Sequence, residues 1–83
     1  MTLSPVERAV VADLSCHGDN VPGNISDNTG YHEKSVSRSL SNLEDRDIVR
    51  NKGRGVWSLT EHGETIAKDV LEWQKKTGSY ESA

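Results

Sequence analysis

Between residues 33 and 64 the apolar rhythm of the chain changes twice, and this narrows the possible folds more than any other feature. Val36, Leu40 and Leu43 recur at steps of four and three, one narrow buried stripe of a helix spanning about Glu33 to Arg46. Ile48 and Val49 break that spacing. Ile48-Val49-Arg50-Asn51 and Val56-Trp57-Ser58-Leu59 read as two short strands around a tight Lys52-Gly53-Arg54-Gly55 turn, whose glycines are free to take positive φ. Thr60 then caps a new helix, with Glu61 and Glu64 in the first turn, where the helix dipole favours anions.

The remaining elements must fit around that helix, hairpin and helix. Ser4-Pro5-Val6-Glu7 starts a helix: Ser4 caps, Pro5 suits the first helical position and Glu7 completes a capping box. Val6, Val10 and Leu14 form its stripe, with Asp13 the one polar member at that spacing, and Gly18 ends it after His17. Asp19 to Gly23 is a connector. Pro22 opens a short second helix to about Asn28, anchored by Ile25 alone and ended by Gly30, with Tyr31 a core plug in the turn. The last helix carries Ile66, Val70 and Trp73, with Ala67 and Leu71 beside them, and ends near Lys75-Lys76. Residues 1–78 form one domain, and 79–83 are expected to be a mobile tail.

Composition agrees with this economy. Eighty-three residues allow one domain with a small core. Only 33% are apolar and Phe is absent, so each element can supply one stripe, which suits helices with a short hairpin better than a sandwich. Cys16 is the sole cysteine, so an internal disulfide is excluded and a reducing cytoplasm is the expected compartment. Cys16 itself reads as a core thiol at a helix end. No apolar run is long enough to span a membrane, and no apolar signal core opens the sequence.

The net charge of −3 hides an asymmetry. Residues 34–54 hold Lys34, Arg38, Arg46, Arg50, Lys52 and Arg54 against Glu44, Asp45 and Asp47, while the rest of the chain holds four basic and ten acidic residues. A basic middle between acidic flanks points to an anionic partner met by one face.

The element order is mainly α with a small β-hairpin wing, that of a winged helix-turn-helix. Thr29-Gly30-Tyr31, Ser35-Val36-Ser37-Arg38-Ser39-Leu40 and Leu43-Glu44-Asp45-Arg46-Asp47-Ile48-Val49 resemble the recognition helix and its exit in winged helix-turn-helix regulators. Gly53 to Gly63 (Gly-Arg-Gly-Val-Trp-Ser-Leu-Thr-Glu-His-Gly) resembles their wing and following helix. The likeness is to small haloarchaeal phage repressor-like regulators, and more broadly to the MarR group, over about Ile25 to Ala67. Two positions depart from it: Asp47, where such proteins usually have Gly, and Ser26, where they usually carry a buried Ala. Asp tolerates the left-handed conformation better than most residues, so the helix exit can survive.

The resemblance implies an archaeal DNA-binding transcriptional regulator, a repressor covering an operator as a homodimer. The helix at 33–46 would lie in the major groove and the wing at 48–59 on flanking DNA. Lys34 and Arg38 stand one turn apart, opposite Val36 and Leu40; Arg38 suits a guanine edge or a phosphate and Lys34 a phosphate. Ser35, Ser37 and Ser41 are short enough for close approach and can bond phosphate or base. Arg54 and Lys52 sit at the wing tip, where an arginine can enter a minor groove. Arg50 reads either as a phosphate contact or as half of an ion pair. Each of these also has a plainer reading as solvated surface. Trp57 reads as core.

Ile66, Val70, Leu71 and Trp73, with Val6 and Val10, either form a dimer seam or complete the monomer core. His17, His32, His62 and Cys16 match no zinc spacing, and no phosphate loop or nucleophile elbow occurs, so neither enzyme, metal, cofactor nor small-molecule ligand is expected. The competing class is a protein-docking winged helix without DNA binding. RNA binding lacks aromatic platforms in the basic segment.

Overall fold

The computed structural model describes residues 3–77, with side chains as far as residue 72. Four helices and one hairpin follow in order: α1 (Pro5–His17), α2 (Pro22–Thr29), α3 (Glu33–Asp45), β1 (Val49–Gly53), β2 (Val56–Leu59) and α4 (Glu61–Thr77). The expected tail, from residue 79, lies outside the described residues.

α1 begins with the capping box the sequence announces. Glu7 N–H donates to Ser4 Oγ (3.1 Å) and Ser4 N–H donates to Glu7 Oε1 (2.9 Å). Its buried side is broader than the expected stripe, for Val11 is as fully enclosed as Val10, and Leu3 joins from outside the helix. The stripe leaves Cys16 on the outer side of the last turn. Cys16 is exposed, so the expectation of a core thiol is corrected.

α2 hangs on Ile25, which is wholly buried. Ser26 suits its place: its hydroxyl donates to the Tyr31 carbonyl (2.5 Å) and closes the turn into α3. Gly30 takes the left-handed conformation (φ 82°) that ends α2. Tyr31 and Trp57 are half-buried against the core, as expected.

Val36, Leu40 and Leu43 bury α3 completely along one side, and Ser39 also turns inward. The helix ends in a Schellman arrangement. Ile48 N–H donates to the Leu43 carbonyl and Asp47 N–H to that of Glu44, both at 2.9 Å, with Asp47 left-handed at φ 62°. The aspartate therefore occupies the glycine position and keeps its geometry.

The hairpin is longer on its first strand than the sequence suggests. Val49 faces Leu59, Arg50 faces Ser58, Asn51 faces Trp57 and Gly53 faces Val56, which leaves Lys52 as the extra residue of a β-bulge. The connecting loop is Arg54-Gly55, both at positive φ (55° and 76°), the backbone of a type I′ turn. One side chain thus shares a role that the sequence reading gave to glycines.

Thr60 binds three segments together. Its hydroxyl donates to the carbonyl oxygens of Asp47 (2.5 Å) and Ile48 (3.2 Å) and accepts from Gly63 N–H (2.9 Å). Gly63 lies so close to the strand entrance that a Cβ there would stand 1.9 Å from the Ile48 carbonyl oxygen. Ile48, Val49, Ala67 and Val70 complete the core.

Candidate nucleic-acid interface

A helix buried along 36, 40 and 43 must present 34, 38 and 41 on its far side, because side chains repeat about every 3.6 residues. Lys34, Ser35, Ser37, Arg38 and Ser41 are all exposed. Of the four serines between 35 and 41, only Ser39 is lost to the interior. His32 starts the helix: its Nδ1 accepts from Lys34 N–H (3.2 Å). In neutral imidazole that acceptor role puts the ring proton on Nε2, an outward donor.

Polarity also runs along α3. Its first two turns carry Lys34 and Arg38, while Glu44, Asp45 and Asp47 crowd its C-terminal end, where the helix dipole disfavours anions. Only the N-terminal half offers an attractive field to a polyanion.

Arg50, Lys52 and Arg54 are exposed on the hairpin. Ion pairing divides the basic residues of 34–54 into two groups. Arg46 reaches back to the buried Glu7 carboxylate of α1 (3.8 Å), and Lys52 Nζ meets Asp19 Oδ2 at 2.7 Å. Among the described residues, Lys34, Arg38, Arg50 and Arg54 have no carboxylate within 4.0 Å. For Arg50 this removes the ion pair among the described residues. For Lys52 it places a carboxylate where the sequence reading placed DNA.

Sequence reasoning missed what holds the wing. Asn20 exchanges both backbone hydrogen bonds with Trp57 (3.0 and 2.8 Å), adding a one-residue third strand beside β2. Its side-chain amide donates to Asp13 (3.2 Å), which is buried, and His17 Nε2 lies 3.7 Å from the same carboxylate. The signal was present in Asp13, a carboxylate on an apolar stripe, because a buried carboxylate requires partners. Nothing local pointed to the Asp19–Lys52 pair, which spans 33 positions.

The residues considered for a dimer seam divide as well. Val10 and Val70 belong to the core of the single chain. Val6, Ile66 and Leu71 are half-buried. The side chain of Trp73 lies outside the described residues. Among the described residues no cluster of His, Cys, Asp and Glu could hold a metal ion, and no helix is long and apolar enough to cross a membrane.

These features define a winged helix-turn-helix, and known structures share it. The Zα domain of Carassius auratus PKZ, solved in complex with Z-DNA, is 28% identical over 66% of this chain and 92% of its own, with a TM-score of 0.64. A single-site mutant of Lactococcus lactis ZitR superposes with a TM-score of 0.84 at 19% identity, covering 96% of this chain and 58% of its own. Bordetella bronchiseptica BpsR, whose DNA binding is described as regulated by 6-hydroxynicotinic acid, gives a TM-score of 0.83 at 16% identity, over 90% of this chain and 57% of its own. The chain thus has a winged helix-turn-helix fold, and it spans a little under six tenths of the length of ZitR and of BpsR. No protein-family model and no curated protein matches it.

Proposed function

We propose that this chain is a sequence-specific double-stranded DNA-binding transcriptional regulator, a repressor that covers its operator as a homodimer in the cytoplasm. The observation that carries this reading is the set of four exposed basic side chains between residues 34 and 54 that have no carboxylate partner among the described residues, Lys34 and Arg38 on α3 and Arg50 and Arg54 on the wing. Exposed arginines without an acid on two successive elements are available to an anionic partner, and duplex phosphates are such a partner. In this reading the N-terminal half of α3 enters the major groove. Arg38 meets a guanine edge or a phosphate, Lys34 a phosphate, and Ser35, Ser37 and Ser41 permit close approach. Arg54 reaches the flanking minor groove and Arg50 the backbone.

A single module this small reads few base pairs, so two copies on an inverted repeat supply the specificity. Ile66 and Leu71 on α4 form the proposed seam together with Trp73. Repression is steric, by exclusion of the transcription machinery from a covered promoter.

Selection from random duplex DNA, for the wild type and for Arg38→Ala, tests the reading. A short inverted repeat recovered by the wild type and lost or relaxed in the variant is the expected result. The Zα likeness places a left-handed duplex in the same experiment. Preference for it over any right-handed sequence would replace base readout by shape readout. No enrichment by a folded wild type across a range of salt would sink the DNA reading in favour of a protein-docking winged helix.

A further inference from the structure

The wing is fastened to the connector between α1 and α2. Asn20 pairs with Trp57 along the open edge of β2, and the Asp13 carboxylate holds the Asn20 amide in place. This brings the preceding residue, Asp19, alongside the hairpin, where its carboxylate takes Lys52 Nζ at 2.7 Å. The bulge completes the arrangement. Lys52 has no partner across the ladder, and Gly53 N–H turns onto Asn51 Oδ1 (2.7 Å). In a regular strand Lys52 would share a side with Arg50. A bulge breaks that alternation and re-aims the side chain.

We infer that Asp19 is a built-in substitute for phosphate at Lys52, which keeps this lysine out of the DNA contacts and holds the affinity below what the wing's charge would allow. The inference rests on the DNA-binding reading. Carboxylate and phosphate oxygens compete for the same ammonium donors. A lysine neutralised by its own protein releases no counterion from the duplex, so it adds nothing to the salt dependence. The cations of the wing that meet the duplex are then Arg50 at the backbone and Arg54 at the minor groove, and Asp19 determines whether there is a third.

The test is equilibrium binding to the selected duplex across a salt series. The proteins compared are the wild type, Asp19→Asn, Lys52→Ala, the double variant, and Arg54→Ala as a reference. Asp19 and Lys52 are both half exposed, and unchanged melting curves would verify folding. Asp19→Asn is expected to tighten binding and to steepen the slope of log K against log salt by about 0.9 per chain, the contribution of one phosphate contact. Lys52→Ala alone should leave the slope unchanged, while Arg54→Ala flattens it by about 0.9. In the double variant the gain from Asp19→Asn should vanish.

Three results would overturn the inference while leaving DNA binding intact. Lys52→Ala could flatten the wild-type slope as much as Arg54→Ala does. Asp19→Asn could weaken binding. The gain from Asp19→Asn could survive loss of the lysine, making it a general effect of removing negative charge. A folded wild type that binds no duplex at any salt would instead overturn the DNA reading and this inference with it.

Discussion

Gly63 has no freedom to acquire a side chain. The 1.9 Å separation between its ideal Cβ position and the Ile48 carbonyl oxygen involves two backbones, so no rotamer can relieve it. Gly63→Ala is expected to cost about 3 kcal/mol or more, read as a lower midpoint in urea unfolding. Asp47 presents the opposite case. It holds a left-handed conformation that is unfavourable for a side chain, and it adds a negative charge at the C-terminal end of α3. Asp47→Gly is expected to stabilise by about 0.5 kcal/mol, since relief of both costs outweighs the greater chain entropy that glycine brings to the unfolded state. A lower urea midpoint would show that the aspartate side chain contributes something the backbone geometry does not reveal.

At the scale of elements, α3 draws little stability from its own exposed residues and cap. Its exposed face is rich in serine, a poor helix former, and its N-cap is a histidine in place of the preferred Ser, Thr, Asp or Asn. His32→Ala should destabilise by about 0.5–1 kcal/mol and speed amide exchange in the first turn of α3, at Lys34 and Ser35, ahead of the rest of the helix. Uniform acceleration along α3 would argue against a capping role.

The elements were legible in the sequence to unequal degrees, for physical reasons. α1, the hairpin and the start of α4 are set by caps, glycines and turn residues acting within four positions, and these could be read directly. The burial of Val11, the outward turn of Cys16 and the extra strand residue at Lys52 depend on packing between elements. The basic residues could be located by composition. Sorting them into paired and unpaired required Glu7 and Asp19, which meet Arg46 and Lys52 only after the chain has folded.

For the whole molecule, the uneven charge becomes a measurable salt response. The four basic groups of residues 34–54 without carboxylate partners give an expected slope of log K against log salt of about −3.6 for one chain and about −7 for a dimer on its operator. A slope near −4 under conditions where sedimentation shows a dimer on the duplex would mean that only one set of contacts is engaged. The acidic remainder gives high salt a second effect, because it also screens the repulsion between the duplex and the α4 carboxylates Glu61, Glu64, Asp69 and Glu72. Leu71→Glu on α4 tests the seam separately: the monomer should persist with its fold intact, and operator affinity should fall together with self-association. Unchanged self-association would remove α4 from the dimer.

The Thr60 junction has a consequence for how such a chain can change. Both ends of the hairpin are fixed there, Ile48 and Thr60 being joined by a backbone hydrogen bond of 3.0 Å and by the threonine hydroxyl. The tip at Arg54-Gly55 is exposed and remote from that fastening. Loop closure grows only with the logarithm of length, so lengthening the two-residue tip by four residues costs on the order of 1–2 kcal/mol. The wing is therefore a replaceable cassette: its reach along a duplex can be redrawn by insertion at one point, while α3 and α4 keep their places.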